Sequence, residues 1–246
     1  MICIYLLGLI ILIYIYCDLN KSTKSTKSTK STKSTKSTKS NKSNKYKEKF
    51  TNKLNKYEIL DKPINMYDNF INKNDCDKLI KLSEGKFIQS SVYGSNKGFI
   101  DTNARTSSNA YFKRGENSLI KNIENKVCDL LNIKLDQIEP LQIARYERGQ
   151  EYKYHYDYFE KETDQYNNQR TNSIIIYLND LTEEDGGATH FPLYKCKFYP
   201  YKGRAIHWKN MDLDDNLNKL SLHAGQPILT DKTKYILTIW TRENSY

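Results

Sequence analysis

The chain has 246 residues, of which 38% are hydrophobic and 28% charged, with a formal net charge of +10 and a mean hydropathy of −0.77. That length accommodates one domain of about 190 residues with a proper core, plus appendages. The charge suggests a nucleic-acid binder only until it is located: residues 21–49 hold eleven lysines and one acid, whereas residues 50–246 hold 28 basic and 27 acidic residues. Nucleic-acid-binding folds carry a basic face on the folded body, so a near-neutral body weighs against that class and no nucleic acid is expected as a partner.

Residues 1–17 are an almost unbroken apolar run, at the short end for a membrane span. No basic segment precedes the run and no small-residue cleavage site follows it, so an uncleaved anchor is expected ahead of a cleaved signal. Lysines follow the run, which by the positive-inside rule puts the rest of the chain in the cytosol. From Lys21 come six copies of Lys-Ser-Thr and two of Lys-Ser-Asn, with no apolar residue before Tyr46. Such a segment buries nothing to offset its ordering entropy and reads as a solvated tether over residues 18–56, attachment to anionic lipid being the alternative. Of five cysteines, Cys3 and Cys17 flank the apolar run, while Cys76, Cys128 and Cys196 stand far apart without a C-x-x-C. Neither a zinc site nor a disulfide framework is implied, and buried free thiols are expected.

The folded part is expected from residue 57 to the end. Asn74-Asp75 offers a cap for a helix reaching Ser83, with Cys76, Leu79, Ile80 and Leu82 at helical spacing. A second helix over residues 117–131 turns Leu119, Ile120, Ile123, Val127, Leu130 and Leu131 inward. After Pro140 the texture changes to short strands at 141–147, 152–158, 173–179, 188–191, 204–208, 220–223 and 235–241, separated by Gly- and Asn-rich turns. Two helices followed by about seven strands predict a mainly β, α+β fold: a jelly roll backed by N-terminal helices.

Within Arg-Tyr-Glu-Arg-Gly-Gln-Glu-Tyr-Lys-Tyr-His-Tyr-Asp-Tyr-Phe, residues 145–159, His155 and Asp157 are separated by one residue. On a strand such a pair projects from one face. That is two-thirds of the two-histidine, one-carboxylate triad of non-haem Fe(II) oxygenases, and the pair alone is a weak signal. Of the other histidines, His190, His207 and His223, the last precedes an apolar strand that Lys234 opens eleven residues later. A third metal ligand followed by a cation for an anionic co-substrate completes the pattern.

On these residues the region from Tyr57 onward resembles the catalytic domain of 2-oxoglutarate- and Fe(II)-dependent prolyl 4-hydroxylases. The matching blocks run in order: residues 75–82, Arg105-Thr106-Ser107-Ser108, residues 145–159, Gly186-Gly187-Ala188-Thr189-His190-Phe191-Pro192, Gly203-Arg204-Ala205-Ile206-His207-Trp208, and His223-Ala224-Gly225-Gln226-Pro227 with Lys234-Tyr235 and Trp240. The resemblance implies a double-stranded β-helix and hydroxylation of peptidyl proline at C4, coupled to decarboxylation of 2-oxoglutarate to succinate and CO2. A sister oxygenase acting on another residue or on nucleic acid is the alternative. It implies Fe(II) on His155, Asp157 and His223, 2-oxoglutarate on Lys234, Tyr146 and Thr189, and ascorbate as reductant. It places Arg105, Ser107, Glu139, Tyr152, Arg170 and Trp240 along a groove for a proline-rich or collagen-like peptide. In the family the anchoring cation stands ten residues after the distal histidine, so Lys232, at nine, competes with Lys234, at eleven. Lys234 is preferred because Tyr235 and Trp240 then keep the family's register. His190 and His207 are expected to be non-ligands, His207 packing where relatives carry an aromatic. Gln226 stands where many relatives have cysteine, removing a disulfide but not the iron chemistry. The family also implies a membrane-anchored protein of the endoplasmic reticulum lumen or secretory pathway, against the charge rule above, and both topologies stay open.

Overall fold

The computed structural model describes residues 55–58, 63–90 and 104–246. The apolar run, the lysine repeats and the loop at 93–103 lie outside them. Twelve strands form two antiparallel sheets. In chain order they are β1 (Asn55–Glu58), β2 (Ile64–Asp68), β3 (Ile88–Gln89), β4 (Ser108–Phe112), β5 (Leu141–Tyr146), β6 (Tyr152–His155), β7 (Arg170–Tyr177), β8 (Thr189–Phe191), β9 (Cys196–Phe198), β10 (Ala205–Lys209), β11 (His223–Gly225) and β12 (Lys234–Arg242). The large sheet runs β1-β2-β10-β7-β12-β5-β4-β3 and the small one β6-β11-β8-β9.

Strand alternation sorts the core into two layers. On β7, Ile174 and Ile176 face one side of the large sheet, with Leu237 and Ile239 of β12 and Leu141 and Ile143 of β5. They pack against helix α1 (Lys73–Ser83) through Cys76 and Leu79, and against α2 (Ser118–Leu131) through Ile120, Ile123 and Val127. The intervening residues Ile175, Tyr177, Ile236, Ala144, Tyr146, Ile206 and Trp208 face the small sheet and meet Phe191, Cys196 and Phe198. The result is mainly β, with the sheets face to face as in a jelly roll.

The helices form where amphipathic spacing and caps coincide. Asn117 Oδ1 accepts the Ile120 N–H at 3.0 Å, and Asn132 closes α2 in the left-handed region at φ 53°. Helix α1 starts earlier than the Asn74-Asp75 reading: Asn72 is the cap, accepting the Asp75 N–H at 2.8 Å while donating to the Asp75 carboxylate at 2.7 Å. Leu82, expected inward, is 40% exposed. The strand expected at 220–223 is instead a 3₁₀ turn, Lys219–Ser221, and the strand begins at His223. The strand expected at 152–158 ends at His155. Cys76, Cys128 and Cys196 are free thiols, and burial pushes the Cys76 pKa up to about 12.

Candidate active site

The end of β6 and the start of β11 are antiparallel partners, with His155 directly opposite His223. Asp157 lies two residues past His155, in a bend that turns its carboxylate back toward both rings. The donor atoms of the three side chains all lie within 4.8 Å of one another. His155 Nε2 is 3.7 Å from Asp157 Oδ1, and His223 Nε2 is 3.7 Å from Asp157 Oδ2.

The tautomers follow from the partners. His155 Nδ1 faces the Lys153 carbonyl at 2.7 Å and His223 Nδ1 the Ser221 carbonyl at 2.9 Å. A carbonyl only accepts, so each Nδ1 carries the proton and each Nε2 turns its lone pair to the common point. Ser173 Oγ donates to Asp157 Oδ2 at 2.6 Å and is itself held by Asn210 Nδ2 at 2.9 Å. Burial, aided by the charge of His223, depresses the His155 pKa to about 3 and keeps the ring neutral. Burial opposes ionisation of Asp157, but His223, His155, Arg170 and the Ser173 hydroxyl together hold it at about 2. Two neutral imidazoles and one carboxylate, buried and held from behind, are the donor set of a two-histidine, one-carboxylate divalent metal site.

A cavity of about 450 Å³ opens from these residues between the sheets. Lys234 opens β12 opposite Tyr146 of β5; it is 1% exposed, and its ammonium lies 5.2 Å over the Tyr146 ring. It has no carboxylate partner among the described residues, and burial lowers its pKa to about 7. Lys232 is placed outside the cavity, 59% exposed and bonded to Asp185 at 2.8 Å. Tyr146 and Thr189 line the cavity, and the Thr189 hydroxyl accepts from Tyr177 at 2.8 Å. Consecutive Gly186 and Gly187, at φ +73° and +69°, let this turn pack closely. A Cβ on Gly187 would stand 2.6 Å from Ile228 Cδ1 and 3.4 Å from the Lys234 stem.

A larger cleft of about 2750 Å³ shares Arg105, Tyr152, His155, Asp157 and Trp240 with the cavity. Tyr152 stacks on His155 with ring centres 3.5 Å apart. Arg105 is 5% exposed and lies 4.8 Å over the Tyr152 ring, donating to Ser107, Asn109 and Gln142. Ser107 lines neither cleft; it is fully buried and serves as an acceptor for Arg105 Nε. Glu139 receives two hydrogen bonds from Arg170, at 2.7 and 2.8 Å, and pairs with Arg242 at 2.6 Å. Although burial opposes it, the two guanidinium groups hold the Glu139 carboxyl below the usual range. Arg170 also lies 3.8 Å over Trp240. Residues 161–163 and Tyr166 form part of the cleft wall.

His190 accepts or donates at Nδ1 to Tyr154 at 2.6 Å, away from the three donors. His207 is buried on the helix side of the large sheet, held by Asn172 and Asn65. Three contributors were not among the sequence candidates. Ser173 and Asn210 brace Asp157, and Arg242 completes the Glu139 pair. The one signal available for Ser173 was a lone hydroxyl opening the run Ile174-Ile175-Ile176.

Residues 141–242 match the family described as the 2OG-Fe(II) oxygenase superfamily. The Arabidopsis thaliana protein named probable prolyl 4-hydroxylase 3 is 34% identical over 202 residues, covering 74% of this chain and 69% of its own. Prolyl 4-hydroxylase 5 of the same plant is 33% identical over 196 residues, covering 71% and 66%. The chain therefore spans about two-thirds of each plant protein. The solved structure of a viral collagen prolyl hydroxylase from Paramecium bursaria Chlorella virus-1, a 2-oxoglutarate complex, superposes with a TM-score of 0.60 at 32% identity, covering 74% of this chain and 97% of that one. The chain belongs to the prolyl 4-hydroxylase family. As a prolyl 4-hydroxylase it is a 2-oxoglutarate- and Fe(II)-dependent dioxygenase, and the family's reductant is ascorbate. The converging His155, Asp157 and His223 donors fit the iron.

Proposed function

We propose that this prolyl 4-hydroxylase acts on peptidyl proline in extended, proline-rich or collagen-like chains. The supporting observation is the pairing of a three-donor metal site with one buried, unpaired lysine across a shared cavity. His155, Asp157 and His223 would hold Fe(II), and Lys234, Tyr146 and Thr189 the distal carboxylate of 2-oxoglutarate. Iron so held supplies the coupling of keto-acid decarboxylation to oxygen insertion into a C–H bond. The protein contributes position and dryness. Phe191 and Trp208 pack on His223, and Tyr152 covers His155. Arg105, Glu139, Tyr152, Arg170 and Trp240 present held polar edges and aromatic faces to the peptide, with Ser107 behind Arg105. The cleft is rich in phenols: Tyr111, Tyr154, Tyr156, Tyr158, Tyr166 and Tyr246 also line it. Aromatic-lined grooves suit the polyproline II helix, which costs little entropy to bind.

We also read the sheets as a double-stranded β-helix backed by α1 and α2. The apolar run at 1–17 is read as a membrane anchor in the secretory pathway, with residues 18–56 as its tether. Among the described residues no helix is long and apolar enough to cross a membrane.

The test is mass spectrometry of (Pro-Pro-Gly)-type and Ser-Pro peptides incubated with Fe(II), 2-oxoglutarate and ascorbate. A +16 shift on proline with matching succinate is expected. A shift confined to another residue, or succinate without any peptide product, would refute the prolyl assignment.

A further inference from the structure

Gly225 is a glycine whose absence of a side chain the protein itself does not explain. Its backbone is outside the left-handed region that favours glycine. A Cβ built there would meet Tyr152 Cβ and N at 3.8 Å and Lys234 Nζ at 3.9 Å, which is ordinary contact. The nearby Gly186 and Gly187 differ on both counts: each has positive φ, and a Cβ would stand 2.4 Å from the Pro227 carbonyl oxygen or 2.6 Å from Ile228 Cδ1. Gly225 lines the cavity. It pairs with Tyr152 on one side and Thr189 on the other, two residues past His223 and beside the Lys234 ammonium.

We infer that Gly225 is a specificity-determining residue that keeps the distal end of the cavity open for the second carboxylate of the co-substrate. The inference rests on the assignment of 2-oxoglutarate to this cavity. A carboxylate oxygen bonded to an ammonium sits about 2.7–2.9 Å from it, so a methyl group 3.9 Å from the same nitrogen competes for that space. Alanine at this position leaves the ligand-free protein intact and obstructs a 2-oxo diacid. A 2-oxo acid with no second carboxylate does not reach the obstruction.

The experiment uses the full chain loaded with Mn(II), which suits the same oxygen and nitrogen donors. Binding is read by intrinsic fluorescence, because the two tryptophans, Trp208 and Trp240, both line the cavity. 2-Oxoglutarate and pyruvate are titrated into the unmodified protein and G225A, and both proteins are melted without ligand. The expected result is an unchanged melting temperature, 2-oxoglutarate binding weakened by about tenfold or more, and unchanged pyruvate binding. Equal weakening of both acids, undiminished 2-oxoglutarate binding, or a G225A protein that does not fold would each overturn the inference. An unmodified protein that takes Mn(II) but no 2-oxoglutarate would overturn the co-substrate assignment itself, a failure distinguishable from the others.

Discussion

Replacing Lys234 should move stability and co-substrate affinity in opposite directions. Its ammonium is buried with no counter-charge among the described residues, and burial brings the pKa from 10.5 to about 7. Because the folded-state value lies below the unfolded one, the unfolded chain binds the proton more tightly between those limits. The penalty is therefore complete below pH 7 and disappears as pH rises to 10.5. At 1.36 kcal/mol per unit, the charged form costs the ligand-free fold roughly 4–5 kcal/mol. K234M, similar in length and apolar, should raise the melting temperature of the ligand-free protein, more at pH 6 than at pH 9. The same change leaves a buried carboxylate of 2-oxoglutarate without its partner, a loss of about 3–5 kcal/mol. At 1.4 kcal/mol per factor of ten, the apparent KM for 2-oxoglutarate should rise roughly a hundred- to several-thousand-fold. In the unmodified enzyme that KM should be flat below pH 7 and climb above it, as the free-state ammonium loses its proton. The checks are succinate formation against 2-oxoglutarate concentration and thermal melts at the two pH values. K232M should change little, because its partner Asp185 lies outside the cavity and exposed pairs contribute about 1 kcal/mol or less. An unchanged KM in K234M, or a large rise in K232M, would refute the reasoning.

Three further substitutions probe the surroundings. D157A should fold yet neither retain Mn(II) by electron paramagnetic resonance nor release succinate; retained metal would remove Asp157 from the ligand set. S173A removes the hydroxyl 2.6 Å from the Asp157 carboxylate, and Mn(II) affinity should fall about 10–100-fold with the three donors still present. R170A takes away the guanidinium on Trp240 and half of the Glu139 pairing, so the peptide KM should rise by about tenfold or more while the 2-oxoglutarate KM holds. Equal effects on both KM values would place Arg170 in the fold rather than the groove.

Local pattern carried the elements whose burial is one-sided and regular. Helix α2 could be read because its apolar residues recur at helical spacing behind an asparagine cap, and β7 and β12 because β-branched runs suit buried strands. Strand β4, Ser-Asn-Ala-Tyr-Phe, has no such signal; it is a strand because β5 and β3 pair with it. The i,i+2 rule brought His155 and Asp157 together on a strand, whereas the strand stops at His155 and a bend performs the convergence. Lys232 and Lys234 have the same parity, so alternation along a strand could not separate them. What separates them is where β12 begins and the Asp185 pair that holds Lys232 aside. The braces Ser173 and Asn210 come from β7 and the segment after β10, and no spacing rule joins them to Asp157.

Buried charge divides this interior into two kinds of residue. Arg170 and Arg242 share Glu139, so their desolvation is offset within the protein and they hold whether or not anything is bound. Lys234 has no such partner among the described residues, and Arg105 is met there by the neutral side chains Ser107, Asn109 and Gln142 and the Tyr152 ring. A fold that keeps a charge buried without an opposite one sacrifices stability, and both residues stand on the walls of the same connected clefts. The two sites where the protein leaves charge uncompensated are thus the two where a ligand would compensate it: a carboxylate at Lys234, and peptide carbonyls at Arg105. That asymmetry makes K234M a substitution that should gain stability by losing function.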